Sequence, residues 1–323
     1  MTSLEHAPCP TGCAPNDAEV LVGQDLLHGV PGEFTVVRCQ TCGLMRTNPR
    51  PTPATIGAFY PPDYGPYLGS RISQPGNKQR GPVRRLLSFL ARNIWVPIHN
   101  RVFDSKATAT PPLAAGNMLE VGCAAGGYLQ QMANLGWTVC GVEFSAEAAQ
   151  QVIEHGFDLQ VGQLETLSLP RGEYDLIACW MVLEHLHDPV GGLRKLRDSA
   201  TDDAWLALSV PNARSREFSR FGKYWYALQL PTHLYHFTPE SISSVLKQGG
   251  WDVKKICHQR TLGNLVASLG YALQARGYSR LAAGLIKFPD QPGVWRYLLH
   301  PIACLFAMLG QTGRMTVWAK PRP

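Results

Sequence analysis

The chain has 323 residues, 45% of them hydrophobic and 17% charged, with a net charge of +6. That composition excludes a disordered chain and leaves room for one large domain or two unequal ones. The charge is too mild to demand a polyanionic partner and reads as a solvated surface. No basic start followed by an apolar run opens the sequence, so no secretory signal is expected. The longest apolar stretch, "VWRYLLHPIACLFAML" (294–309), contains Arg296, His300 and Pro301. It is also shorter than the roughly 18–20 residues a spanning helix needs. A soluble, cytoplasmic protein is expected.

Five of the nine cysteines stand singly, at 123, 140, 179, 257 and 304. The other four are paired: Cys9 and Cys13 in "CPTGC", Cys39 and Cys42 in "CQTC". Two such knuckles bring four thiolates into a tetrahedron around one zinc ion, with "FTVVRCQTCGL" as the strand that enters the second knuckle of a zinc ribbon. Four protein ligands leave no open position, so the expected metal is structural. The module, residues 1–50, has little core of its own, and the metal would supply most of its folding free energy.

Residues 51–112 are expected to form a linker rich in proline and tyrosine, with one helical turn at 54–59, and then a basic helical segment. Eight Lys and Arg lie between 71 and 106 against Asp104 alone. Within "VRRLLSFLARNIW" (83–95), Val83, Leu86, Leu87, Leu90 and Ile94 share one helical face. A helix packed on the main domain is the first reading, and a helix lying on an anionic membrane surface is the second.

From residue 113 to 323, strands and helices alternate. "NMLEV", "TVCGVE", "DLQV", "YDLIACW" and "AWLALSV" read as strands, separated by amphipathic helices. The helix "PESISSVLKQ" should be capped by Thr238, with Pro239 at its first position. The pattern predicts a Rossmann-like, doubly wound α/β sheet of seven strands. Residues 262–310 interrupt its ending with an apolar helical insertion.

In such sheets the ligand sits at the first strand–helix turn. Here the turn reads Gly122-Cys123-Ala124-Ala125-Gly126, with alanine at the middle glycine of a dinucleotide fingerprint. Glu120, just before it, would repel a pyrophosphate but suits an amino group and a sulfonium. Glu143, ending the second strand, can accept hydrogen bonds from ribose hydroxyls. These features point to S-adenosyl-L-methionine (SAM).

"LEVGCAAGGYL", "GVEFS", "YDLIACWMVLEHLHDP" and "HLYHFTPESISSVLKQGGW" resemble, in order, the motifs of class I SAM-dependent methyltransferases. The resemblance covers about 113–260 and returns at "GRMTVWAKP" (313–321). The cysteine module resembles the N-terminal extension of a bacterial small-molecule and sugar-type subgroup. By resemblance, Glu120, Gly122, Cys123, Ala124 and Gly126 line the methionine end of the cofactor. Glu143 binds the ribose, Phe144 and Gln163 flank the adenine, and Cys179 and Trp180 lie beside the transferred methyl. "LEHLHDP" is similar to a metal-holding stretch of ubiquinone-pathway O-methyltransferases, in which two glutamates and a histidine hold the ion. Glu184 and His185 match, but Met181 takes the third position and leaves the set one ligand short.

Transfer to a hydroxyl needs a base, and His233, His236 and His185 are the candidates, in that order. The loop "LPTHLYHFT" resembles that of zinc-containing sugar C-methyltransferases, whose base falls on His233. That family's neighbouring glutamate and tyrosine are Thr232 and Leu230 here, which counts against C-methylation. The acceptor expected is a small molecule, a sugar or other glycoconjugate, or a lipid-linked compound, with O-methylation favoured. A zinc-ribbon nucleic-acid-binding protein is the rival from another class. It would need stacking aromatics among the basic residues, and Phe89, Trp95 and Phe103 read better as a packing face. Peripheral contact with the inner face of the membrane stays open.

Overall fold

The computed structural model describes residues 3–60, 113–292 and 295–322. The basic segment 71–106 lies outside the described residues.

Five parallel strands form the centre: β6 (Asn117–Val121), β7 (Thr138–Glu143), β8 (Asp158–Val161), β9 (Tyr174–Trp180) and β10 (Ala200–Pro211). Their apolar runs follow from burial on both faces by crossover helices. Those helices are α1 (Gly127–Ala133), α2 (Ala146–Glu154) and α3 (Pro189–Ser199). α4 (Arg216–Phe221) and α5 (Pro239–Gln248) follow β10. As expected, Thr238 caps α5, and the Ser241 hydroxyl accepts in return from the Thr238 N–H at 2.9 Å.

β12 (Trp251–His258) is followed by α6 (Gly263–Gln274), α7 (Ser279–Ile286), α8 (Trp295–Leu298) and α9 (His300–Met308). β13 (Arg314–Pro321) then enters antiparallel between β10 and β12, giving the order β12-β13-β10-β9-β6-β7-β8. The chain winds in opposite directions from β6 and β9, which opens a ligand crevice at the carboxyl ends of those two strands. No described helix is long and apolar enough to cross a membrane.

The N-terminal strands β2 (Asp17–Gly23), β3 (Phe34–Cys39) and β4 (Met45–Thr47) form a meander, while β1 (Leu4–Glu5) pairs with β5 (Arg50–Pro51). The meander's fourth strand comes from far along the chain: β11 (Tyr235–His236) pairs antiparallel with β4. Phe34, Val36, Leu44 and Met45 therefore share one continuous core with Leu183, Leu208, Trp225, Leu234 and Phe237. Arg46, 3% exposed, is held inside by a two-pronged pair with Asp17 at 2.9 and 2.6 Å. Arg50 bridges the same joint, donating to the His187 carbonyl and the Tyr235 hydroxyl, both at 3.0 Å.

Candidate active site

At the β6–α1 turn, Gly122 has φ +70°, and a Cβ there would lie 2.5 Å from Val182 Cγ2. Only glycine meets both conditions. Ala124, in contrast, holds φ +46°, a left-handed conformation that glycine would adopt without strain. Its N–H donates to Glu143 Oε2 at 2.8 Å, and the Ser145 N–H donates to Oε1 at 2.9 Å. Burial pushes the Glu143 pKa up and these backbone donors pull it back. The result is a fixed carboxyl whose remaining lone pairs suit a ribose diol.

Glu120 is 3% exposed and its Oε2 has no hydrogen-bond partner, so burial holds its pKa well above the carboxylate range. Trp180, ending β9, leaves its buried Nε1 unpartnered, with its ring edge-on to Tyr128 at 5.2 Å. An orphan acceptor and an orphan donor at one sheet edge fit the amino and carboxylate groups of an amino-acid ligand. Phe144 is 44% exposed beside Glu143, 6.4 Å from the Tyr60 ring. Gln163 sits in the turn after β8, its carbonyl accepting from the Thr166 N–H at 3.0 Å.

Two expectations need correction. Cys123 packs downward with Met118, Leu129 and Trp137, so its position offers a cofactor main chain and no thiol. Cys179 is likewise a core residue, its thiol pushed up by burial and by Glu120 and Glu184.

The three candidate histidines separate. His185, in the helical turn Leu183–His185 after β9, places Nδ1 2.9 Å from both the Thr232 carbonyl and the Tyr60 hydroxyl. His233 places Nδ1 2.9 Å from the Ala227 carbonyl, and the two rings meet edge-on at 4.7 Å. A carbonyl can only accept, so each ring carries its proton on Nδ1 and keeps a lone pair on Nε2. Burial pulls the His185 pKa down to about 4. It also holds His233 well below its usual value, with His185 and His236 adding to the effect. His236 lies in β11, 1% exposed. Its Nε2 is 3.3 Å from Thr47 Oγ1, which donates to the His233 carbonyl at 2.8 Å. That placement makes His236 part of the joint between strands, with its buried Nδ1 left without a partner.

Glu184 is wholly buried, both oxygens lack partners, and burial pushes its pKa up to about 8 against the opposing pull of Arg314. Ligand atoms of Glu184, His185 and His233 lie within 4.8 Å of one another. The third position, which Met181 cannot fill, is thus supplied in space by a distant loop. One carboxylate and two imidazoles suit a divalent ion. By themselves the same three groups are also an acid–base and hydrogen-bonding set, with the Arg314 guanidinium lowering the Glu184 pKa against its burial. Sequence reasoning missed Tyr60, Tyr128 and Arg314: Tyr128 and Arg314 stand inside recognised motifs, but only the packing of their side chains brings them to the site.

The cysteine cluster is closed. One ligand atom each from Cys9, Cys13, Cys39 and Cys42 lies within 4.8 Å of the others, with Cys9 and Cys42 Sγ 3.5 Å apart. A zinc tetrahedron with bonds of about 2.3 Å has edges of about 3.8 Å, so the four sulfurs fit with slight adjustment. Each knuckle turns through a left-handed glycine, Gly12 or Gly43, whose N–H donates to the first cysteine's carbonyl at 3.0 and 2.8 Å. Burial would raise the Cys39 pKa, but N–H groups of Cys42 and Thr41 bring it down to about 7, which favours the thiolate a metal needs.

A family model described as a methyltransferase domain matches residues 89–256. The ubiquinone biosynthesis O-methyltransferase of Thiobacillus denitrificans is 26% identical over 50% of this chain and 73% of that protein. The enzyme of that name from Nitrosospira multiformis is 27% identical over 45% of this chain and 66% of its own length. Among solved structures, the [4+2]-cyclase SpnF superposes with a TM-score of 0.50 at 18% identity, over 84% of this chain and 97% of that one. That likeness carries the fold alone. The chain belongs to the methyltransferase-domain family, and its fold and cofactor end are those of a SAM-dependent methyltransferase.

Glu143→Ala should weaken SAM binding by about 2 kcal/mol or more, since ribose hydroxyls would lose a charged acceptor; calorimetry checks this. Glu184 gives a second expectation. Its folded pKa of about 8 lies above the unfolded value, so its contribution to stability is complete below about pH 4.5 and is lost as pH rises through 8. The urea midpoint of Glu184→Gln should therefore gain on that of the native chain steadily from pH 5 to pH 8.

Proposed function

We propose that the protein transfers the SAM methyl group to a hydroxyl of a small-molecule acceptor, with His233 as general base and His185 as its partner. The observation that carries this reading is the pair of imidazoles anchored through Nδ1 to backbone carbonyls, each with a ring nitrogen within 4.8 Å of the orphan carboxyl of Glu184. Bound SAM supplies an electrophilic methyl on a sulfonium. Glu120 would hold the amino group, and Glu143 the ribose. The acceptor hydroxyl gives its proton to His233 Nε2 as its oxygen bonds to the methyl, and the breaking bond's electron pair goes to sulfur. Burial keeps the imidazole neutral and ready to accept that proton. The relatives whose printed names state O-methylation support oxygen as the target. His233→Ala should lower turnover about 100-fold while leaving SAM affinity nearly unchanged, measured with labelled SAM. Full activity in that variant would remove the base assignment.

The cysteine cluster is proposed to hold one structural zinc ion. Zinc would brace β3 and β4, and through β4–β11 the loop that carries His233. Elemental analysis should find one zinc per chain, and Cys39→Ser should lose both the metal and methyl transfer.

The acceptor is read as a small molecule, a sugar or a lipid-linked compound, reached from the cytoplasm and, in the last case, at a membrane surface. The helical insertion supports the membrane contact: Trp295, Leu298, Ile302, Leu305 and Met308 are all exposed. Sedimentation with anionic vesicles at low salt, released as salt rises, is expected. Equal sedimentation with neutral vesicles would count against it.

A further inference from the structure

Arg314 opens β13 opposite Pro211, the last residue of β10, so it stands at the edge of the sheet where the parallel strands end. Its side chain is half-buried, and its buried Nε has no hydrogen-bond partner. Among the described residues it forms no ion pair. A buried guanidinium N–H without a partner is costly, and native structures rarely keep one without use.

Its field reaches Glu184, Glu217, Tyr226 and His233. Neither carboxyl bonds it. Glu217 spends its oxygens on the Gly313 N–H at 3.1 Å and the Trp225 indole N–H at 3.5 Å. Glu184 keeps both oxygens unpartnered. Arg314, opposite the end of β10, and Glu184, in the turn after the adjacent β9, thus stand at the same carboxyl ends of the strands, each with a buried polar atom left unpaired.

We propose that Arg314 anchors a carboxylate or phosphate of the methyl acceptor, while Glu184 bonds a neighbouring hydroxyl of the same molecule. The acceptor class is then a hydroxy acid or a hydroxylated phosphate ester. This rests on the reading of His185 and His233 as the acceptor end. Arginine is the residue for the task, because its planar fork donates two parallel bonds to either anion and stays charged when enclosed.

The test uses the full chain saturated with S-adenosylhomocysteine and three probes of one shape: benzoate, phenyl phosphate and benzamide. Calorimetry should show one of the two anions binding at least 10-fold more tightly than the neutral amide. The preferred anion tells carboxylate from phosphate. Arg314→Gln should abolish the preference and keep S-adenosylhomocysteine affinity, which also reports that the variant is folded. Arg314→Lys, which keeps charge but not the fork, should retain a weakened preference. Equal binding of all three probes, binding of none, or an unchanged preference in Arg314→Gln would overturn the proposal. Failure of the native chain to bind S-adenosylhomocysteine would instead overturn the cofactor reading beneath it.

Discussion

Two hydrogen bonds at Thr47 hold the architecture together. Its N–H donates to the Leu234 carbonyl at 3.0 Å and its hydroxyl to the His233 carbonyl at 2.8 Å. Thr47 is fully buried, so losing either bond would leave a polar atom stranded in the core. Each bond alone contributes about 1 kcal/mol net. Their importance is positional: they close the edge of the N-terminal sheet and fix the loop between Gln229 and His236. The Leu234 N–H, bonded to the Glu184 carbonyl at 2.8 Å, ties that loop to the turn after β9. A strand-edge contact thus sets where an imidazole stands relative to the methyl donor.

The two ends of the crevice use burial differently. At the cofactor end, backbone donors fix Glu143 and leave it lone pairs for a ligand, while the Glu120 and Trp180 side chains keep orphan atoms. This is a rigid receptor for a ligand of known shape. Around His185 and His233, desolvation favours neutral imidazoles and a protonated Glu184. In the proposed transfer the proton would therefore pass between uncharged partners, which spares the site the cost of a second buried charge.

The legibility of this molecule in its sequence follows the range of the forces involved. Local patterns were readable: the Thr238 cap, the Gly122 turn, the paired cysteines and the apolar parallel strands all depend on neighbours within a few residues. Cys123 was misplaced because one position on a tight turn can point its side chain to the ligand or to the core, and only packing against Met118 and Leu129 decides. The contact of His236 with Thr47 was illegible because Thr47 lies on a strand from the other end of the chain. The same holds for the third group beside Glu184 and His185, which the chain order hid behind Met181. Arg314 reads as one more residue of a strand, and only its buried, unpartnered Nε sets it apart.

The place of β13 bears on how the chain reaches this structure. β12 bonds only to β13, and β13 lies between it and β10. When β12 emerges during synthesis it has no strand to join until the whole helical insertion has been made. Through that interval the flank of β10 is an open edge, ready to pair with any extended segment nearby. Closing the sheet is therefore a long-range, late event governed by loop-closure entropy. Helices α6 and α7, which pack on each other locally, can form first and shorten the effective distance that β13 must span.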